Sequence, residues 1–278
     1  MTTMATKRKI TNAFNFLLNL PILVIILLPL LYTLSISVMP PSEIYQNHLI
    51  PSSINLGNYV KAFTNPAYSF LTFIRNSFIV STTVMLGQML TCSMAAFAFA
   101  FLDFKGKKLL FILVLATMMV PGEATIIANY LTVSRWGWLD TFRALIVPYL
   151  TSAMGIFLLR QSYLAFAKEL HEAARIDGCS NPRFMASIVI PLSRPALGAL
   201  GAYVFLNTWN QYMWPLLVTN SANYRTVQIG ISMLYDIDAE SLGLMMAGVV
   251  IVIVPSLSIF IFMQKQLING LMAGAVKG

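Results

Sequence analysis

The sequence predicts an all-α, polytopic membrane protein with six transmembrane helices. Three observations carry that reading. Of 278 residues, 58% are hydrophobic and only 10% are charged, against roughly 45–50% and about 25% in ordinary soluble domains. The apolar residues fall into blocks long enough to cross a bilayer, which takes about 20 mostly apolar residues. Six such blocks and their loops use up the chain, leaving no stretch for a separate soluble domain.

The basic opening segment, residues 1–15, precedes the first block, residues 16–38, which ends in SVMPPSEI. That block is too long for a signal-peptide core and no A-x-A site follows it, so it reads as an uncleaved first span. A polar stretch, residues 39–72, follows. The remaining core, residues 73–265, holds five further blocks: Phe73–Phe101, Leu109–Leu131, Ala144–Leu164, Pro195–Val218 and Leu242–Met263. A tail, residues 266–278, closes the chain. Pro121-Gly122 interrupts the third block, and such a break is tolerated only where protein or a watery cavity covers the freed backbone groups. Trp136 and Trp138 read as interfacial anchors.

Charge orients the chain. With the N-terminus inside, the inner segments hold Lys7, Arg8, Lys9, Lys105, Lys107, Lys108, Arg160, Lys168, Arg175, Arg183, Arg194, Lys265 and Lys277. The outer ones hold Lys61, Arg75, Arg135, Arg143 and Arg225. The bias of Lys and Arg toward cytoplasmic loops therefore places both termini in the cytoplasm. The same bias accounts for the net charge of +8 without nucleic acid, for which no basic stripe with interleaved aromatics is present. Asp236, Asp238 and Glu240 fall in the last outer loop but say little about topology. Cys92 and Cys179 show no CxxC or Cys/His spacing, and no metal is expected.

The most charged island, HEAARIDGCSNPRFMASIVIP, spans residues 171–191 between two apolar blocks. Residues 168–177 predict a helix, Gly178 an αL cap, and Asn181-Pro182 the N-cap and first position of a second helix ending near Pro191. Chemistry alone leaves two readings open. One is a solvated linker; the other is a docking helix whose Ala173-Ala174 pair permits close approach while Glu169, Glu172 and Arg175 set register.

A resemblance adds to this. Glu172-Ala173-Ala174, three residues, Gly178, nine residues, Ile188, one residue and Ile190-Pro191 resembles the EAA motif of the membrane subunits of bacterial ABC importers, with Ile190 where Leu is usual. Likeness continues through GIFLLRQSYLAFAKEL before it and PLSRPALGAL and WNQYMWPLLVT after it. The chain resembles the inner-membrane permeases of carbohydrate-type ABC importers (maltose, oligosaccharide or glycerol 3-phosphate), with wording nearest the glycerol-3-phosphate permease. The resemblance implies a type I importer permease fold in a bacterial cytoplasmic membrane. It makes residues 168–191 the coupling segment, with Glu172, Ala173, Ala174, Asp177, Gly178, Ile188 and Pro191 meeting a partner ATPase. Implied partners are a second homologous permease, an ATPase dimer, an extracytoplasmic substrate-binding protein and lipid. The chain has no G-x-x-x-x-G-K-[ST] loop, so no cofactor is expected on it, and ATP and Mg belong to the ATPase.

Ionisable residues are nearly absent from the second, fourth, fifth and sixth blocks, which argues against a proton relay. Asn207, Trp209, Asn210 and Tyr212 are the candidate translocation-path residues, since amides and aromatic rings suit sugars and polyols. They read equally as an interfacial belt or as helix packing. Asn76, Gln88 and Asn129 are weaker candidates. Arg75, Arg135 and Arg143 are the outer cations available to a phosphate. The rival function is a stand-alone secondary carrier or channel. An enzyme is weaker: no catalytic residue is expected, and His171 reads as a surface residue.

Overall fold

The computed structural model describes residues 2–46, 48–64, 70–166, 168–234 and 239–275. Helices make up its regular structure, and no strand occurs among the described residues. Asp236 and Asp238 lie outside them, as do residues 276–278 of the tail.

In chain order the helices are α1 (Thr2–Ser37), α2 (Gly57–Thr64), α3 (Phe70–Phe101), α4 (Lys107–Thr117), α5 (Gly122–Arg135) and α6 (Phe142–Ile146). They continue with α7 (Ala153–Leu164), α8 (Lys168–Ile176), α9 (Asn181–Phe184), α10 (Ile190–Leu192) and α11 (Arg194–Trp209). The last three are α12 (Met213–Val218), α13 (Val227–Met233) and α14 (Ala239–Ala275). Among the described residues, three stretches qualify as membrane spans alone: Leu18–Ser37, Phe70–Phe101 and Leu242–Phe262. Three more qualify as bent pairs: α4 with α5 at 97°, Phe142–Tyr149 with α7 at 42°, and Asn181–Leu192 with α11 at 80°. Six spans are thus available, but the third to fifth are not the straight helices that composition predicts.

Proline accounts for the bends. It lacks an N–H and its ring clashes with the carbonyl four residues earlier. Pro121 separates α4 from α5, and Pro148 tightens the chain into a 3-10 turn over Val147–Tyr149. The expected Pro195–Val218 helix stops at Trp209 and resumes at Met213, because Pro215 cannot coexist with a helical Gln211 carbonyl. Pro191 lies just beyond a π-helical turn, Met185–Val189, which widens the helix where a normal bond to Ser187 is lost. The second short helix therefore runs through Pro191 and ends at Leu192, near the expected position. The end helices extend past the apolar blocks: α1 begins at Thr2, ahead of the block at 16–38, and α14 reaches Ala275, beyond the block that ends at Met263.

The chain divides into two compact units, residues 1–69 with Ile231–Ile253, and Phe70–Gly230 with Val254–Gly278. In the first, Ile36, Met39 and Ile44 form a small core with Leu242 and Met246. Asn58 donates to the Ser37 carbonyl (3.1 Å), and the Ser37 hydroxyl pairs with that of Tyr59 (2.7 Å). A Cβ at Gly243 would sit 2.6 Å from the Asn58 amide nitrogen, so glycine is what lets α14 meet α2 there.

In the second unit α3 is the hub, packing along α7 and α11. Its buried face carries Val80, Val84, Cys92, Ala96 and Phe97 against Leu159, Leu200 and Val204. Lipid is as apolar as leucine, so such helices associate through close packing of small residues rather than through hydrophobic exclusion. Gly155 shows this: a Cβ there would lie 2.8 Å from Cys92 Sγ and 3.2 Å from Leu200 Cδ1. Polar side chains of α3 also satisfy backbone freed at the bends. Gln88 donates to the Tyr149 carbonyl (2.8 Å) and Thr91 to that of Leu150 (2.5 Å). Asn76 donates to the carbonyls of Asn223 (2.7 Å) and Arg225 (3.0 Å), and Ser77 Oγ accepts from Val227 N–H (2.8 Å). Asn76, a path candidate by composition, is thus a structural tie.

Candidate functional site

Two features of the second unit draw the candidate residues. The first is the charged island. Its helix α8 ends where expected: the Gly178 amide bonds to the Arg175 carbonyl (3.0 Å), Cys179 to that of Ala174 (2.9 Å), and Gly178 takes φ +76°. Nothing lies within 4 Å of a Cβ placed on Gly178, so glycine is there for its backbone freedom. The following helix starts one residue earlier than predicted. Ser180, extended at φ −72° and ψ 153°, is the N-cap, and Asn181 is already helical.

Asn181 has another use. Its Oδ1 lies 3.2 Å from Nε2 of His171. His171 is not a surface residue: it is 8% exposed, and its ring packs 4.8 Å from Phe184, 5.3 Å from Phe101 and 6.4 Å from Phe97. It pins the start of α8 both to α9 and to the end of α3. Ala174, one turn on, is buried in the same core, while Ala173 faces out. The small pair thus points two ways, one alanine inward and one to solvent. The outward face carries Glu169, Glu172, Ala173 and Ile176, with Asp177 and Gly178 beside it. Glu172 is exposed and has no ion pair among the described residues. Ile176 is 86% exposed, an apolar knob among charges that the sequence reading passed over; its spacing four residues after Glu172 was the available signal. Ile188 and Pro191 are half-buried farther along the same segment.

The second feature is a cavity of about 190 Å³ between α3, α7 and α11, lined among others by Gln88, Ser152, Tyr203, Asn207, Thr208 and Gln211. Tyr203, Asn207 and Gln211 fall four residues apart on one face that runs down α11 into its break. Asn207 Nδ2 donates to the Tyr203 hydroxyl (3.3 Å). Ser152 caps α7 by accepting from the Gly155 amide (3.1 Å) and donates to Gln88 Oε1 (2.7 Å). Of the predicted path residues, Asn207 lines the cavity, as does the weaker candidate Gln88. Trp209 is 1% exposed and stacks on Phe205, with Phe78 at its edge. Asn210 meets Gln228 (3.4 Å) and Tyr212 is exposed elsewhere. Asn129 is exposed on α5. Thr208 and Gln211 belong to the polar stretch that the sequence marks in this block, though not to the chosen candidates; Tyr203 was missed, although its four-residue register with Asn207 and Gln211 was readable. Among the described residues, no three His, Cys, Asp or Glu side chains converge as metal ligands.

Residues 87–266 match the family model described as the inner membrane component of binding-protein-dependent transport systems. The chain belongs to that family. As such a component it is a multi-pass inner-membrane protein, the permease part of an ABC importer. Both features described above lie within the matched residues. The arabinooligosaccharides transport system permease protein AraQ of Halalkalibacterium halodurans is 34% identical over 279 residues, covering 98% of this chain and 100% of that one. The sn-glycerol-3-phosphate transport system permease protein UgpE of Rhizobium meliloti is 32% identical, covering 96% and 98%. The trehalose/maltose permease MalG of Thermococcus litoralis is 32% identical, covering 92% and 93%. The family fold is matched in a solved bacterial ABC transporter that imports the acidic polysaccharide alginate. The TM-score is 0.83 at 20% identity, over 93% of this chain and 97% of that one.

Proposed function

We propose that this permease carries a carbohydrate or polyol phosphate across the cytoplasmic membrane and is driven through α8 by a separate ATPase. It pairs with a second permease, and an extracytoplasmic binding protein delivers the substrate. Both termini lie in the cytoplasm, where the charged island meets the ATPase dimer that holds ATP and Mg.

The single observation that carries the coupling role is the build of α8. Its inner face is fixed to the transmembrane core by His171 and Ala174, and its outer face, Glu172, Ala173 and Ile176, is free to dock. A solvated linker needs no buried anchor. A helix clamped on one side and bare on the other can receive a push and pass it to α3 and, through α9 and the π turn, to α11. Glu172 supplies a charge for a basic group in the ATPase, Ile176 an apolar contact, and Gly178 the turn that presents both. Ile188 and Pro191 belong to the arm behind them, and Asp177 flanks the turn.

The test uses the assembled importer in proteoliposomes. Glu172→Ala and Gly178→Val should leave assembly intact yet lower ATP-driven uptake at least tenfold, with ATPase activity no longer stimulated by the loaded binding protein. Full uptake and full stimulation in both variants would refute the coupling role. Solute movement through the chain with no ATPase present would instead support a stand-alone carrier or channel.

A further inference from the structure

We infer that the cavity on α11 is a half-site for one uncharged sugar unit, and that this subunit handles a neutral carbohydrate rather than a phosphate ester. The inference rests on the importer reading above and narrows its substrate.

Position comes first. Arg194, exposed, opens α11, and Tyr203 lies nine residues along it, roughly 14 Å away at 1.5 Å per residue. That is about the centre of a hydrocarbon layer roughly 30 Å thick. The cavity continues from there to Gln211, where α11 breaks. At the same rise Gln211 lies roughly 25 Å along, still inside the layer, and broken helix there persists only where protein covers it or a water-filled cavity runs beside it. Tyr203 is half-exposed and Asn207 is exposed, so one wall of the cavity is open. Its volume, about 190 Å³, falls below the roughly 300–1,000 Å³ of complete small-molecule pockets. One chain supplies part of a site, and the facing permease supplies the remainder.

Chemistry comes second. Among the described residues the lining offers amides, two phenols and hydroxyls, and no Lys, Arg, Asp or Glu. Gln88 and Ser152 spend their hydrogen bonds on each other and on backbone, so they form a fixed floor. Asn207 gives one N–H to Tyr203 and keeps its carbonyl oxygen, while Tyr203 keeps its phenolic proton. With Thr208 and Gln211 this makes a row of groups that both donate and accept, as sugar hydroxyls do. A phosphate dianion at this depth would need a cation, because an uncompensated charge near mid-membrane is expensive. Arg75, Arg135 and Arg143 are all exposed and none reaches the cavity wall.

The experiment again uses the complete importer with its binding protein. Radiolabelled arabinotriose, maltotriose and sn-glycerol 3-phosphate serve as probes of uptake. In parallel, an Asn207→Cys variant in a Cys179→Ser background is labelled with a methanethiosulfonate during turnover. At least one neutral trisaccharide should be taken up. Asn207→Leu and Gln211→Leu should each reduce that uptake about tenfold, as loss of a hydrogen bond in a desolvated site does. The same sugar should slow labelling of Cys at 207 severalfold, and glycerol 3-phosphate should not. Protection or ATP-driven uptake by glycerol 3-phosphate would overturn the inference and leave the importer reading standing. So would sugar uptake indifferent to both leucine variants, with no protection. Uptake that needs no ATP would overturn the importer reading itself.

Discussion

His171 and Asp140 show how single side chains hold this molecule's moving parts. His171 fills an aromatic box of Phe97, Phe101 and Phe184 and bonds Asn181. His171→Ala should destabilise the solubilised protein by about 1–3 kcal/mol, from lost packing and one hydrogen bond. His171→Phe keeps the ring and should recover most of that stability. If the Asn181 bond also transmits force, the Phe variant will melt near the wild type yet show weakened stimulation of the ATPase. Thermal unfolding and ATPase assays on the same samples separate the two. Asp140 is different. It adopts φ +56°, tolerable for aspartate, and its Oδ1 accepts the amides of Asn220 and Ser221 at 2.9 Å each. Desolvation raises its pKa, but the Ser221 and Asn220 hydrogen bonds outweigh it, and the net shift is downward from 3.8. A carboxylate lowered in the folded state stabilises at pH above its unfolded value. Wild type should therefore exceed Asp140→Asn in melting temperature at neutral pH. That gap should stay constant down to about pH 4 and close only below it, as pH falls through the depressed folded value. A gap that closed between pH 7 and 5 would assign the effect to another group.

Helices here meet where side chains are small and bend where proline coincides with outside help. Gly155→Val would force bulk between α7, Cys92 and Leu200. Overpacking of this kind costs about 1–3 kcal/mol, so the variant should melt lower and assemble poorly, while Gly178→Asn, in open space with a residue that tolerates αL, should do neither. The bends explain what the sequence reveals and what it hides. Long apolar blocks made six spans legible, and Pro121-Gly122 announced the 97° corner. Pro148, Pro191 and Pro215 looked no different from Pro21, Pro29 and Pro255, which sit inside continuous helices. At Pro148 the distinction lies elsewhere in the chain: Gln88 and Thr91, some sixty residues before the Tyr149 and Leu150 carbonyls they satisfy. A window of local sequence cannot pair them. Likewise the motif from Glu172 to Pro191 was readable by spacing, whereas the buried anchor at His171 was not, because its aromatic partners come from α3 and α9. In the cavity, Asn207 was legible as an amide in an apolar block. Trp209 misled because a tryptophan's ring suits both sugar and core, and only its neighbours Phe205 and Phe78 decide.

The orientation proposed from charge can be tested, because the molecule carries its own reporter for it. Six spans put both ends on one side, and the proposed orientation takes that side, with its excess of Lys and Arg, to be the cytoplasm. On that proposal the α8–α9 turn lies in the cytoplasm too. Cys179 sits in that turn, partly exposed, next to Gly178, whereas Cys92 is buried in the helix core. A membrane-impermeant maleimide should therefore label Cys179 in inverted vesicles and leave it untouched in right-side-out ones, with Cys92 silent in both. If the turn docks as proposed, bound ATPase should slow that labelling several-fold, and Glu172→Ala, by weakening the dock, should restore it. Labelling from the outer side would reverse the topology and remove the coupling role together with it, since an ATPase fed by cytoplasmic ATP would then have no helix to push.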